Sequence, residues 1–564
     1  MLKVSDVLYP QLGLPDLDGN LVEVVFGQST SNAVAASRRR LNIGDRFEHL
    51  GEMVRVSDEK SGLADSTFTN GKDEYRLPTK LAGPLQLRFR LPYYTDIAQS
   101  LTLDAARPHV RSMAMAKMTS DSVISDSLPS AYHFDKSPFD AAPDAMFGRP
   151  NFQRDGAGCH AFGSMVTGKK RSLTDCAAVV TSMQADMGNP DSAARAARIM
   201  AGFDGAPVTA QPAFPTGAEL GDAVIHEIAL PDIIFPPDTD LSRDDGRPHT
   251  VDRCGNQTVI TTLDDGKSVT VEQPPSKRPT AGGNSYVTRS AEPGPHALVE
   301  GKTGHGYTTN SSSDEIGVFD PKTRRWKASF VLSEPARYPH TIRMAPAGLI
   351  WFTLAASPQV GRLDPVSGAS KLISLPPAKV TGGAGGASVY GIDVRPVDGR
   401  IWYARLWGDR IGAIDSKTLV ATGFASPAKV PRRLHYDASG ALWLTGCSEA
   451  MIARVDTETM HSYLYPLPEF APGARPAPYA LPVQPQTQEI WGKETATDRI
   501  YRFVPKDKRF ITYPMPLHGS LSRDFTFTKQ GWACTTNRPI RNAEFEDGVT
   551  GVIWYDINGA KARS

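Results

Sequence analysis

The chain has 564 residues, and 62 Lys and Arg stand against 61 Asp and Glu, a formal net charge of +1. That balance excludes a polyanion as the main partner, so no nucleic-acid binding is expected. At roughly 150 residues per domain the length excludes a single small core, and 49 Gly with 45 Pro supply the punctuation of a turn-rich β protein.

No stretch approaches the roughly 18 uncharged apolar residues of a membrane span, so no membrane insertion is expected. The N-terminus, MLKVSDVLYPQLG, lacks the basic region and apolar run of an export signal. Five cysteines, Cys159, Cys176, Cys254, Cys447 and Cys534, are an odd number at wide spacing with no C-x-x-C pair. Neither a disulfide scaffold nor a structural zinc site is expected.

Residues 1–45 are read as an N-terminal extension. In 46–115 apolar residues alternate, with Leu85, Leu87, Phe89 and Leu91 separated by Gln86, Arg88 and Arg90. This is the period of a half-buried strand. Val54 and Val56 start a similar alternation, and Asn70-Gly71 is a turn dipeptide before Tyr75. A small antiparallel β-sandwich is predicted. The order FTNGKDEYRLP then GPLQLRFRLPYY resembles the carboxypeptidase regulatory-like domain, which implies an extracellular spacer or binding module.

Residues 116–221 change character. Leu173, Cys176, Val180, Met183 and Met187 have helical spacing after a Ser172-x-x-Asp175 start, and an Ala-rich helix from Asp191 to Phe203 follows Asn189-Pro190. A small helical domain or linker is predicted. It contains Gly156-Ala157-Gly158-Cys159-His160, which resembles the C-x-x-C-H haem attachment sequence of c-type cytochromes with glycine in place of the first cysteine. The resemblance implies a single thioether at Cys159, His160 as the iron ligand, and a distal methionine, Met200 ahead of Met183 or Met187. A decayed motif in a helical linker is the structural alternative.

From about residue 222 to 564 seven units repeat, each a strand, a Gly-containing turn, a strand often carrying Trp, a polar loop and a strand ending near Asp. Asp320, Asp364, Asp415 and Asp456 are 44, 51 and 41 residues apart, the length of a four-stranded blade. The fold class is therefore mainly β, a seven-bladed β-propeller preceded by the small sandwich and the short helical cytochrome c-like segment. Val224–Leu230 looks like a missing outer strand, able to pair with the last blade near Gly551 to Tyr555 and close the ring.

The PHxI, IWFT and φGRφDP elements resemble the streptogramin lyases, the virginiamycin B lyase-like family, over about residues 222–560. The resemblance implies that His296 and His340, each following a proline in consecutive blades, face the central channel and take the place of the family's catalytic histidines. It also implies glutamates and a magnesium ion stabilising a developing enolate. Those carboxylates are missing, because Leu354 and Ala355 follow the IWFT strand start and Tyr338 precedes Pro339. The structural alternative is a pair of histidines hydrogen-bonded along the channel.

No cofactor is expected from the residues as they stand, and the resemblances point to haem c and magnesium as the two candidates. The favoured reading is a periplasmic or extracellular propeller that binds a small or oligomeric ligand over its channel. An electron-transfer protein with a redox partner and a non-catalytic interaction scaffold are the alternatives.

Overall fold

The computed structural model describes residues 22–26, 51–70, 75–104, 115–139, 148–149, 163–183, 190–211, 217–230, 239–241, 248–251, 260–264, 267–271 and 293–561, the last apart from 321, 324, 379–388 and 538–546. Seven antiparallel sheet units form a ring, the arrangement of a β-propeller. With the innermost strand first, blade 1 runs from Thr239–Leu241 to Lys267–Val271 and blade 2 from Pro295–Glu300 to Arg325–Val331. Blade 3 runs from Pro339–Met344 to Ser370–Ser374, blade 4 from Val389–Val394 to Ala421–Ala425, and blade 5 from Pro431–Tyr436 to Ser462–Pro466. Blade 6 has three full strands, Ile490–Lys493, Arg499–Val504 and Arg509–Pro514, with Pro478 and Val483 bridging to its inner edge.

The repeating residues of the sequence each have a mechanical role. Trp351, Trp402, Trp443 and Trp491 stand at one register of the second strand, are about 1% exposed, and pack against the following blade. Full burial of one such ring stabilises by about 3 kcal/mol. Gly361 and Gly412 lie under Phe352 and Tyr403, where a Cβ would come within 2.1 and 2.3 Å of the ring. The glycine of φGRφD is thus dictated by the aromatic above it. Asp320, Asp364, Asp415 and Asp456 accept backbone N–H groups two residues on, closing the hairpin to the outer strand.

Blade 7 is built from Phe525–Phe527, Ala533–Asn537, Gly551–Asp556 and, antiparallel to the last of these, Val224–Ala229. The closure expected from the sequence is present, pairing Ile225 with Tyr555 and Ala229 with Gly551. The strand does more than close the ring. Its other edge pairs with Leu63–Phe68, whose sheet continues through Met53–Asp58 and Gly83–Arg90 to Ile97–Leu103. Eight strands therefore form one sheet. The sequence treats 46–115 as a unit of its own, yet its sheet is continuous with blade 7, because a closing strand with two free edges can bond on both sides.

Leu85, Leu87, Phe89 and Leu91 face a core with Val54, Val56 and Leu77, and Trp554 of blade 7 belongs to the same core. Strand Tyr75–Thr79 pairs with Val22–Phe26, which comes from the N-terminal extension. Charge locks the seam on both faces. Arg55 donates to Glu227 at 2.7 Å, and His226 meets Asp65 at 2.7 Å while stacking on Trp532 at 5.3 Å. Burial alone would lower the His226 pKa, but Asp65 reverses this and raises it.

The described helices of 116–221 include Asp121–Ser127, Ser130–Phe134, Leu173–Met183 and Pro190–Ala201. Ser172 caps the third of these, its Oγ accepting from Asp175 N at 3.1 Å and donating to the Asp175 carboxylate at 2.7 Å. The segment docks on the propeller: Tyr132 Oη donates to Phe470 O at 2.6 Å, Ala131 N to Ala496 O at 2.8 Å, and Leu128, Ala131 and Val208 pack on Phe470 and Ala474.

His133 holds the helices together. Its Nε2 donates to Ser125 O at 2.9 Å and its Nδ1 takes the Thr167 hydroxyl at 2.7 Å, so the neutral ring is fully bonded. Burial lowers its pKa to about 4. Between the unfolded value near 6.5 and pH 4, protons bind the unfolded chain first, so acid should remove up to about 3 kcal/mol from this segment. A pH series of far-UV melting curves should show that loss for the wild type and a flatter profile for His133→Gln; identical profiles would count against it.

The shared strand yields a second expectation. Ile225→Pro removes a ladder bond and a fully buried side chain, costing about 3 kcal/mol or more. Calorimetry should show one transition containing sandwich and propeller, moved down as a whole. A separate sandwich transition beside an unmoved propeller transition would contradict the shared sheet.

Candidate functional site at the channel mouth

The inner strands of blades 2 to 5 share one irregularity. Register shifts between Pro295 and Leu298, Pro339 and Ile342, Val389 and Ile392, and Pro431 and Leu434 mark a bulge at the start of each strand. A bulge re-aims the side chain it carries. In blades 2 and 3 a threonine on the second strand supports it: Thr309 Oγ1 accepts from Ala297 N and Thr353 Oγ1 from Thr341 N, both at 3.0 Å. The same hydroxyls donate onward to the next blade, Thr309 to His340 O at 2.7 Å and Thr353 to Tyr390 O at 3.0 Å.

At the bulged position blades 2 to 5 present His296, His340, Tyr390 and Arg432, and Tyr479 and Arg523 stand beside them from blades 6 and 7. These meet one another around the mouth. The rings of His296 and His340 lie 3.9 Å apart, and those of His340 and Tyr390 4.0 Å apart. The hydroxyls of Tyr390 and Tyr479 are 2.6 Å apart. The Arg432 guanidinium stands 4.9 Å from the Tyr479 ring centre, and Arg523 Nη1 donates to Tyr479 Oη at 3.3 Å.

Below the mouth a second layer crosses the channel, where Arg433 donates to Thr341 Oγ1 at 2.8 Å and lies 3.7 Å from Asp524. Burial would weaken Asp524 as an acid, but Arg433, His435 and Arg343 lower its pKa instead. In a third layer Arg343 donates to His435 Nε2 at 3.1 Å, with Asp393 3.8 Å from Nδ1. An Nε2 that accepts from a guanidinium belongs to a neutral imidazole. Burial, then Arg343, hold the His435 pKa at about 4. Among the described residues the channel is thus threaded by a polar network.

The sequence places His296 and His340 together, and the structure brings them into contact. It also seals them, at 0% and 1% exposure, whereas Tyr390, Arg432, Tyr479 and Arg523 keep 5 to 8%. These four were missed from the sequence. Their signal was the repeat pattern, in which Val389-Tyr390, Pro431-Arg432, Pro478-Tyr479 and Ser522-Arg523 correspond to the two PH pairs. Where the lyase resemblance wants carboxylates beside the histidines stand Tyr338, Leu354 and Ala355, all buried and none an anionic oxygen donor. Among the described residues no group of three or more His, Cys, Asp or Glu could hold a metal ion. The residues present do not fit magnesium.

Cys159, His160 and Met187 lie outside the described residues. Met200 is partly buried on Pro190–Ala201, packed against Cys176. Met183 ends the helix Leu173–Met183. The helical segment meets the propeller at Phe470 and Ala474, in the loop leading into blade 6, and at Ala496, in the turn after that blade's second strand. Both loops lie at the end of the ring where the inner strands begin, so helices and mouth share a face.

No family model matches the chain, and no curated protein matches it. Among solved structures it is similar to a streptogramin B lyase, at 21% identity over 59% of this chain and 97% of the other, with a TM-score of 0.47. It is similar to a catalytically inactive virginiamycin B lyase from Staphylococcus aureus with quinupristin, at 20% identity over 59% and 99%, TM-score 0.47. The extracellular domain of the one-component system BT4673 from B. thetaiotaomicron gives 12% identity over 64% and 44%, TM-score 0.43. The likeness is one of fold.

Arg433 is the test of the network. Arg433→Ala leaves Asp524 buried without the guanidinium beside it, and should destabilise the propeller by about 3 to 5 kcal/mol. Denaturant titration measures this, and a cost below 1 kcal/mol would show that the channel charges are not coupled.

Proposed function

We propose that this is a propeller protein of the bacterial envelope that binds a small or oligomeric ligand over its channel mouth, and that it is not an efficient streptogramin lyase. The observation that carries the reading is the asymmetry of the mouth. The histidines are fully sealed, whereas the two guanidiniums and two phenols, although buried, keep 5 to 8% exposure. Guanidinium and phenol groups donate hydrogen bonds, and their rings stack, so they suit a ligand rich in carboxylate or ester oxygens with a flat or apolar face.

Efficient lyase chemistry asks for an accessible base and stabilisation of a developing oxyanion. An imidazole alone contributes about 10²–10⁴-fold as a base. Here both imidazoles are covered, and the neighbouring residues do not fit a divalent cation. Quinupristin is the natural probe, since it accompanies the S. aureus enzyme.

With quinupristin and magnesium, ring opening should remain slow and His340→Ala should leave its rate unchanged. Thermal-shift screening of cyclic depsipeptides and acidic oligosaccharides should yield a ligand whose stabilisation disappears in Arg432→Ala and in Arg523→Ala. Fast magnesium-dependent ring opening abolished by His340→Ala, or a ligand whose binding survives both arginine substitutions, would contradict the proposal.

A further inference from the structure

The binding reading treats the Tyr479 hydroxyl as a hydrogen-bond donor, and the surroundings of that hydroxyl give it a second part. Three blades supply its surroundings. Tyr390 of blade 4 shares a 2.6 Å hydrogen bond with it, Arg523 of blade 7 donates to it at 3.3 Å, and the guanidiniums of Arg432 and Arg523 lie 4.9 and 5.2 Å from its ring centre. Arg433 is the third cation near it, and the Cys447 thiol belongs to the same cluster. On its own blade Tyr479 N donates to Lys493 O at 3.1 Å. Once ionised, this oxygen would accept from the Arg523 guanidinium and from the Tyr390 hydroxyl, and the cations around it favour that charged form.

We infer that Tyr479 is the acid–base group of the mouth: its hydroxyl can release a proton to solvent, and the carboxylate of an acidic ligand competes with the phenolate for Arg432, Arg433 and Arg523. The inference rests on the binding reading above for the ligand alone, since the phenol stands in the structure whether or not a ligand is found. The proton balance is explicit. Ionisation releases one proton from Tyr479 Oη, and the arrival of a carboxylate makes the phenolate the weaker partner, so one proton is taken up again at the same atom. By reciprocity, anion binding tightens as pH falls through the Tyr479 transition.

The surroundings agree with the geometry. Burial would weaken the phenol as an acid, but Arg523, Arg433 and Arg432 together with the Tyr390 hydrogen bond lower its pKa below the ordinary 10.0. Tyr132, Tyr403, Tyr436 and Tyr513 are pushed up by burial, so their absorbance changes are separated from that of Tyr479.

The test is a tyrosinate absorbance titration near 295 nm on the full chain, with the fold followed by circular dichroism. The wild type should show one tyrosine titrating below 10.0. Tyr479→Phe should abolish that step, and Tyr390→Phe, which removes a hydrogen bond to the phenolate, should move it up. A wild type with every tyrosine at or above 10.0, or a low step that survives Tyr479→Phe, overturns the inference. Citrate added at constant ionic strength should raise the midpoint. A midpoint that stays in place while the low step remains sensitive to Tyr479→Phe overturns the ligand assignment and leaves the phenolate standing.

Discussion

The structure depends on one strand that is bonded on both edges. A ring of sheets has no natural end, and the unpaired edge of its last blade would be a template for aggregation or slippage. Val224–Ala229 removes that edge by pairing with Gly551–Asp556, over three hundred residues away, and the same strand pairs with Leu63–Phe68. Ile225 and Ile228 are buried on the strand. The channel mouth is positioned only when all seven blades are held at fixed rotation, so the closing strand is a condition for the site.

The mouth follows from a second constraint, the bulge that opens the inner strands of blades 2 to 5. A regular strand would alternate its side chains between neighbouring blades. The extra residue re-aims one side chain, and in blades 2, 3 and 5 a second-strand threonine accepts from the inner-strand backbone, while Ala404 holds that place in blade 4. Position is thus imposed by the fold while identity is free to vary from blade to blade. Two histidines, two tyrosines and two arginines occupy the six described positions, and the chemistry of the mouth is decided by their neighbours.

Much of this was legible in the sequence. The Asp spacing gave the blade length because each of those carboxylates closes a hairpin. The apolar alternation over Leu85–Leu91 gave a half-buried strand because one face meets the core shared with Val54, Val56 and Trp554. The capping pattern at Ser172 gave a helix start. The joining of sandwich and blade 7 was not legible, because a strand with apolar residues at 224, 225 and 228 reads the same whether one or both of its edges are paired. Tyr390, Arg432, Tyr479 and Arg523 escaped for another reason: they share a backbone position with the histidines and not a residue type. The sealing of His296 and His340 depends on packing across the channel, which local sequence does not encode.

Hydrogen exchange on the intact protein tests the central claim most directly. If Val224–Ala229 is an interior strand shared by two units, its amides should exchange as slowly as those of Ile350–Leu354 and Leu442–Gly446, together with those of Leu63–Phe68. Exchange of Val224–Ala229 at the rate of the exposed outer strands Ala421–Ala425 and Ser462–Pro466 would contradict the shared sheet and the closure built on it.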